Sequence, residues 1–123
     1  MTYRRKELGR LGEQLAAKHL KDQGYKLLEQ NWRCPRGEID LIFKAGKVLV
    51  FTEVKTRQGR DFGTPEEGVT QAKARKLINL AQYYLFEKDL EDIEWRIDLV
   101  AVELDQEGKV ERCEHIPNAV WAW

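Results

Sequence analysis

The sequence is poor in the residues that build thiol and imidazole sites. Its 123 residues include two cysteines, Cys34 and Cys113, and two histidines, His19 and His115. Cysteines this far apart make neither a metal-ligand cluster nor a dense disulfide framework, so we expect a reduced, cytoplasmic protein. The histidines lack the spacing of a catalytic triad or a zinc site.

Long apolar runs are absent as well. A membrane-spanning helix needs about 20 apolar residues, whereas a run such as Val48–Phe51 has four. The basic segment 1–6 is not followed by an apolar stretch, so it does not match a secretory signal. We therefore expect no membrane-bound form.

The composition is that of one globular domain. The chain is 42% hydrophobic and 34% charged, which is ordinary for a folded protein. Its length leaves room for one domain, spanning residues 1–123.

The net charge is zero, but the charge is unevenly distributed along the chain. Residues 1–36 carry a net +5, residues 37–87 a net +1 and residues 88–123 a net −6. A local basic surface attracts phosphates even when the total charge cancels. The alternative is an ordinary solvated surface with uneven charge.

The hydrophobic pattern predicts two helices and five strands. The first helix covers 5–23, and the second begins at Thr64 or Thr70 and ends near Phe86. The strands cover 25–33, 38–43, 48–56, 93–104 and 109–116. This order predicts an α/β domain with a central mixed sheet of about five strands flanked by helices. The third strand is apolar on both faces, so we expect it to be central and covered.

Charged residues meet where the second and third strands pair. Glu53 and Lys55 share a face of the third strand, and the second strand carries Glu38 and Asp40. The simplest hairpin register places Asp40 near position 51, and a shift of two residues places it opposite Glu53. Two carboxylates and an ammonium would then converge, and such hard oxygen ligands suit Mg²⁺ or Mn²⁺.

A structural explanation of these charges is also open. Strand-end ion pairs, Glu53 with Lys55 and Asp40 with Arg57, would produce a similar cluster. Asp98 on the fourth strand either backs the site or joins an ion pair near Arg96.

The first helix offers a further carboxylate. Glu13 shares a helical stripe with the small residues Gly9, Ala16 and Ala17, which allow a helix to approach a sheet closely. We therefore consider Glu13 a candidate to point into the same site.

The ordered set of motifs resembles a known superfamily. Asp40 followed by Glu53-Val54-Lys55 resembles the metal-dependent restriction-endonuclease-like nucleases, and the helix with Glu13 is similar to that of archaeal Holliday-junction resolvases. Over nearly its whole length the chain resembles the small bacterial proteins of the YraN family. The motifs that carry this likeness are Gly9-Arg10-Leu11-Gly12-Glu13, Asn31-Trp32-Arg33, Gly37-Glu38-Ile39-Asp40-Leu41-Ile42, Phe51-Thr52-Glu53-Val54-Lys55-Thr56-Arg57 and Lys73-Ala74-Arg75-Lys76-Leu77.

The resemblance implies a restriction-endonuclease-like, three-layer α/β/α fold and a Mg²⁺-dependent endonuclease acting on branched or damaged DNA. It implies Asp40, Glu53 and the backbone carbonyl of Val54 as metal ligands. Lys55 would orient the attacking water or stabilise the developing charge. Glu13 would complete the coordination shell of this metal ion or hold a second ion.

Basic residues near these elements are candidates for phosphate contacts. They are Arg33, Arg36, Arg57, Arg60, Lys73, Arg75 and Lys76. The alternative is that they form a solvated face.

Two other functions remain open. One is a non-catalytic nucleic-acid-binding or adaptor protein that keeps the nuclease fold. The other is a protein-interaction module that uses the Trp-rich C-terminus, with Trp121 and Trp123. A homodimer is a further hypothesis, since symmetric cutting of two strands favours two-fold symmetry.

Overall fold

A computed structural model describes residues 3–59 and 63–120 of the chain. Arg60, Trp121 and Trp123 lie outside the described residues. The helices are α1 (Arg5–Asp22) and α2 (Gln71–Glu87), and a 3₁₀ turn spans Pro65–Gly68. The strands are β1 (Lys26–Cys34), β2 (Gly37–Ala45), β3 (Val48–Gln58), β4 (Glu94–Leu104) and β5 (Val110–Val120). The predicted order of helices and strands is confirmed.

The five strands form one mixed sheet in the order β1-β2-β3-β4-β5. The β3 and β4 strands are parallel, and the other neighbours are antiparallel. Parallel strands need a crossover connection rather than a hairpin, and α2 lies in the crossover from β3 to β4. The prediction that β3 is the central, covered strand is confirmed.

The helices cover opposite faces of the sheet. On one face, α1 buries Ala16, Ala17 and Leu20 in a core that includes Val50 and Val100. On the other face, α2 packs in a second core formed by residues such as Ala74, Leu77, Leu80, Phe51 and Ile97. The predicted α/β fold with helices flanking a mixed sheet is therefore confirmed. In the described ranges, no helix is long and apolar enough to cross a membrane.

The second helix begins at the later of its two predicted starts. Thr64 and Glu67 form a capping box, but it opens only the 3₁₀ turn, which ends at Gly68. The hydroxyl of Thr70 then accepts a hydrogen bond from the amide of Lys73 at 3.2 Å and caps α2. A helix running unbroken from Thr64 is thus wrong, because Gly68 favours an interruption and a second cap follows it.

The last strand is longer than predicted. It continues beyond residue 116 through Pro117, which an edge strand tolerates, and Asn118 adopts a positive φ of 51° at an irregularity. The amide of Asn118 donates to Oδ1 of Asp98 at 2.9 Å. A contact distant in sequence therefore anchors the extra residues.

Candidate active site

The β2–β3 hairpin sets the register of the site. Ala45 pairs with Val48 and Leu41 with Thr52, so continuing the register places Asp40 opposite Glu53. The expectation that Asp40 lies near position 51 is wrong, and the register shifted by two residues is confirmed. The difference comes from the position of the two-residue turn, which is Gly46-Lys47, one residue later than a turn at Ala45-Gly46; Gly46 supplies the φ of +60°.

The alternation of side chains along β2 breaks at Asp40. Ile39 and Ile42 belong to the core under α2, whereas Leu41 and Phe43 belong to the core under α1. Regular alternation would place Ile39 and Leu41 on one face. At this break, Oδ2 of Asp40 accepts a hydrogen bond from the Val54 amide at 2.9 Å.

Asp40 and Glu53 form a closely spaced carboxyl pair, in which Glu53 is buried and Asp40 is half-buried. The Glu53 side chain is 5% exposed. Burial, followed by the charge of Glu53 and a hydrogen bond with it, raises the pKa of Asp40 to about 8, and the Val54 amide opposes this rise. A cation placed between the two carboxyls would relieve their repulsion.

Two lysines approach one oxygen of Glu53. The Nζ of Lys73 lies 3.1 Å from Oε2, and the Nζ of Lys55 lies 3.8 Å from the same atom. The predicted ion pair of Glu53 with Lys55 is thus present. Among the described residues, the predicted pair of Asp40 with Arg57 is not formed, and Arg57 instead donates to the carbonyl of Thr56 at 3.1 Å.

Glu13 reaches the cleft from α1 and is held by β1. Nδ2 of Asn31 donates to Glu13 at 2.9 Å and to Glu38 at 3.0 Å, and Glu38 also accepts from Arg33. Burial and the charges of Glu38 and Glu53 raise the pKa of Glu13, against the effect of the Asn31 hydrogen bond. Sequence reasoning did not assign Asn31 a role, although it opens the Asn31-Trp32-Arg33 motif.

These groups line one cleft of about 1000 Å³. The predicted site residues in its wall are Glu13, Asp40, Glu53, Val54, Lys55, Arg57, Lys73 and Lys76. Tyr3 and Arg5 also line it, although no sequence pattern singled them out. The predicted phosphate ligands Arg33, Arg36 and Arg75 are exposed and do not line this cleft.

The donor set of the cleft consists of oxygens. Within residues 3–59 and 63–120, no three His, Cys, Asp or Glu side chains stand together as a metal-holding group. Mg²⁺ is usually bound through one or two carboxylates and keeps several waters. Two adjacent carboxyls and a backbone carbonyl therefore fit Mg²⁺ or Mn²⁺, and they do not fit zinc.

The comparisons with known proteins establish the family. The model of the uncharacterised protein family UPF0102 matches residues 12–102, a range that includes Glu13, Asp40, Glu53 and Lys73. The chain belongs to the UPF0102 family. The resemblance of the sequence to a small bacterial protein family is thereby confirmed.

UPF0102 relatives match over nearly the whole chain. The UPF0102 protein of Symbiobacterium thermophilum is 48% identical over 117 residues, which cover 95% of this chain and 98% of the relative. The UPF0102 protein of Syntrophotalea carbinolica is 44% identical over 119 residues, which cover 97% of this chain and 95% of the relative.

A distant likeness exists to the solved structure of Pyrococcus furiosus SfsA in complex with Ca²⁺. The TM-score is 0.40 at 14% identity, and the match covers 95% of this chain and 65% of that one.

Asp98 of this UPF0102 protein belongs to a separate buried network. Its carboxylate accepts hydrogen bonds from Nε of Arg96 at 2.9 Å and the amide of Asn118 at 2.9 Å, and its Oδ2 lies 2.6 Å from Nε2 of His115. Burial alone would raise its pKa, but these partners hold the pKa below its usual range. Asp98 does not line the cleft, so of its two predicted roles the structure favours the ion pair.

Proposed function

We propose that this UPF0102 protein is a metal-dependent nuclease that hydrolyses phosphodiester bonds in DNA. The observation that carries the proposal is the carboxyl pair of buried Glu53 and half-buried Asp40, side by side in a cleft whose other charged groups are largely cationic. Burying a carboxyl that must ionise costs stability. Such a cost is common at functional sites, where pKa values are shifted for chemistry.

Asp40, Glu53 and the carbonyl of Val54 would hold the metal ion, Mg²⁺ or Mn²⁺. When bound, a divalent ion supplies an acidified water and neutralises charge on the phosphoryl oxygens. The Val54 amide fixes one oxygen of Asp40, and a metal ion would take the place of the hydrogen bond between Asp40 and Glu53.

Lys55 stands beside the carboxyl pair, with its Nζ 3.8 Å from Glu53. An ammonium in this position would orient the attacking water and stabilise the negative charge of the transition state. Such preorganised charge is commonly the largest single contribution to catalysis. Glu13, whose pKa is raised mainly by burial, would accept a proton or hydrogen bond from water at the same end of the cleft.

The cations of the cleft would hold the DNA backbone. Arg57, Lys73 and Lys76 line the cleft itself, whereas Arg33, Arg36 and Arg75 are exposed beyond it and would contact phosphates further along the strand. Phosphate contacts fix the position of DNA without reading its sequence. The resemblance to Holliday-junction resolvases makes branched or damaged DNA the first substrate class to test.

The test is cleavage of plasmid, duplex and branched DNA by wild type, Asp40→Asn and Glu53→Gln. We expect cutting that requires Mg²⁺ or Mn²⁺ and falls at least about a hundredfold in either variant, the scale of removing one preorganised charge. Asp22→Asn, which changes an exposed carboxylate on α1, is the matched control and should cut like wild type. Equal cutting by all four proteins would reveal a contaminant and contradict the proposal.

The second candidate is a nucleic-acid-binding protein without catalysis. It is favoured by the Lys73–Glu53 ion pair, which neutralises one of the two carboxyls without any metal. This function predicts DNA binding that weakens with salt and is unchanged by EDTA, with no cleavage of any substrate.

A further inference from the structure

Lys73 contacts a carboxylate oxygen of Glu53, one of the proposed metal ligands. Its Nζ lies 3.1 Å from Oε2 of Glu53, closer than the 3.8 Å of Lys55. Among the described residues, these are the two ammonium groups paired with that oxygen. An ion held by Oε2 would therefore meet an ammonium on the same ligand atom, and like charges so close repel each other strongly.

The position of Lys73 allows its ammonium group to move away from the Glu53 carboxylate. The Lys73 side chain is 31% exposed, while Glu53 beneath it is 5% exposed. The ammonium therefore reaches Glu53 from the open side of the cleft. Its backbone stays fixed in the first turn of α2, because the Thr70 hydroxyl accepts from the Lys73 amide. Rotation of a long side chain is then enough to move the charge away from Glu53.

A phosphate in the cleft would give the Lys73 ammonium a second binding partner. Arg57 and Lys76 line the same cleft, so a phosphate seated in the cleft would lie among cations. A lysine displaced from Glu53 would add a third charge to that phosphate contact.

We propose that Lys73 is an internal counter-cation that neutralises Glu53 in the metal-free protein and passes to the DNA backbone when the metal binds. The proposal rests on the proposed nuclease function, and it deepens that function by coupling metal binding to DNA binding. Lys73 is thus a positioning residue that contributes to DNA binding only when the metal is bound.

The first test is calorimetric titration of Mn²⁺ into wild type, Lys73→Met and Lys76→Met. Lys76 lies one turn further along α2 and lines the same cleft, but within the described residues it forms no ion pair with Glu53. Both variants lose one positive charge near the site. We expect Lys73→Met to bind Mn²⁺ at least fivefold more tightly than wild type and Lys76→Met less than twofold more tightly.

The second test measures DNA binding by fluorescence anisotropy, with EDTA and then with Ca²⁺ as a hard cation of similar ligand preference. With EDTA, Lys76→Met should weaken binding several-fold and Lys73→Met should have little effect, because Lys73 is held by Glu53. With Ca²⁺, both variants should weaken it. If Lys73 had only a structural role, Lys73→Met would change the DNA affinity equally with EDTA and with Ca²⁺.

The results separate the two proposals. The counter-cation role is wrong if Lys73→Met and Lys76→Met bind Mn²⁺ with equal affinity, or if Lys73→Met weakens metal binding. Neither result contradicts the nuclease proposal, which the cleavage assay tests separately. If no protein in the series binds Mn²⁺, the counter-cation role is wrong too. Absence of cleavage in addition would end the nuclease proposal.

Discussion

Replacing Gly12 with alanine is expected to lower the free energy of unfolding by about 3 kcal/mol, the upper part of the range for overpacked cores. A β-carbon at position 12 would lie 1.8 Å from Oγ1 and 2.9 Å from Cβ of Thr56 on β3. The clash involves a short side chain next to its backbone, so one of the two elements must shift. Urea denaturation of the variant and wild type gives the difference.

Gly9 provides the matched control, because it lies one turn earlier in the same helix. A β-carbon there would have no neighbour within 4 Å, so Gly9→Ala should be neutral or stabilise the helix by up to about 1 kcal/mol. Removing the Thr56 hydroxyl and methyl with Thr56→Ala should restore part of the stability lost in Gly12→Ala. Equal effects of Gly9→Ala and Gly12→Ala would contradict the close approach of α1 to β3.

The same clash should also affect the cleft. Gly12 immediately precedes Glu13, whose contact with Asn31 depends on the distance between α1 and the sheet. Gly12→Ala is therefore expected to reduce metal-dependent cleavage even under conditions where the variant remains folded.

Replacing Asp40 with asparagine is expected to stabilise the metal-free protein at alkaline pH. Burial and Glu53 raise the pKa of Asp40 to about 8, whereas an aspartate in the unfolded chain titrates near 4. Between these pH values the folded protein binds more protons than the unfolded chain, so this group's contribution to stability is lost as pH rises. Asparagine does not ionise and avoids that loss.

The expected gain is absent near pH 4, grows up to about pH 8 and reaches about 2 to 4 kcal/mol at pH 9. Urea denaturation at pH 4, 6.5 and 9 measures it. Asp22→Asn is the control, because Asp22 is 65% exposed and paired with Lys18, and it should change stability by less than about 0.5 kcal/mol. If Asp40→Asn were destabilising at every pH, Asp40 would have a structural role instead.

Local sequence patterns predicted most of the fold. The apolar character of β3 identified the central strand, and the Thr70 cap gave one of the two possible starts of α2. The hairpin register was left open between two pairings, because the position of the two-residue turn around Gly46 decides which residues face each other. The break in alternation at Asp40 has no signature in β2, where five of nine residues are apolar.

The contacts that complete the site were harder to predict, because they join residues distant in sequence. The sequence placed Lys73 among the basic residues at the start of α2. Its contact with Glu53 was not predictable, because it depends on how α2 crosses the sheet. The pairing of Asp98 with His115 likewise follows from the register of β4 and β5. Arg33 and Arg36 were predicted to contact phosphates on the same grounds as Arg57, a positive charge near the site elements. Both are exposed near the β1–β2 turn and lie outside the cleft.

The most direct test is calorimetric titration of Mn²⁺ into wild type and the double variant Asp40→Asn/Glu53→Gln. Both substitutions preserve side-chain size and remove the charges that would hold a divalent ion. We predict saturable binding by wild type that the double variant loses. Equal binding by both proteins, or no binding by wild type even with branched DNA present, would contradict a metal site at this carboxyl pair.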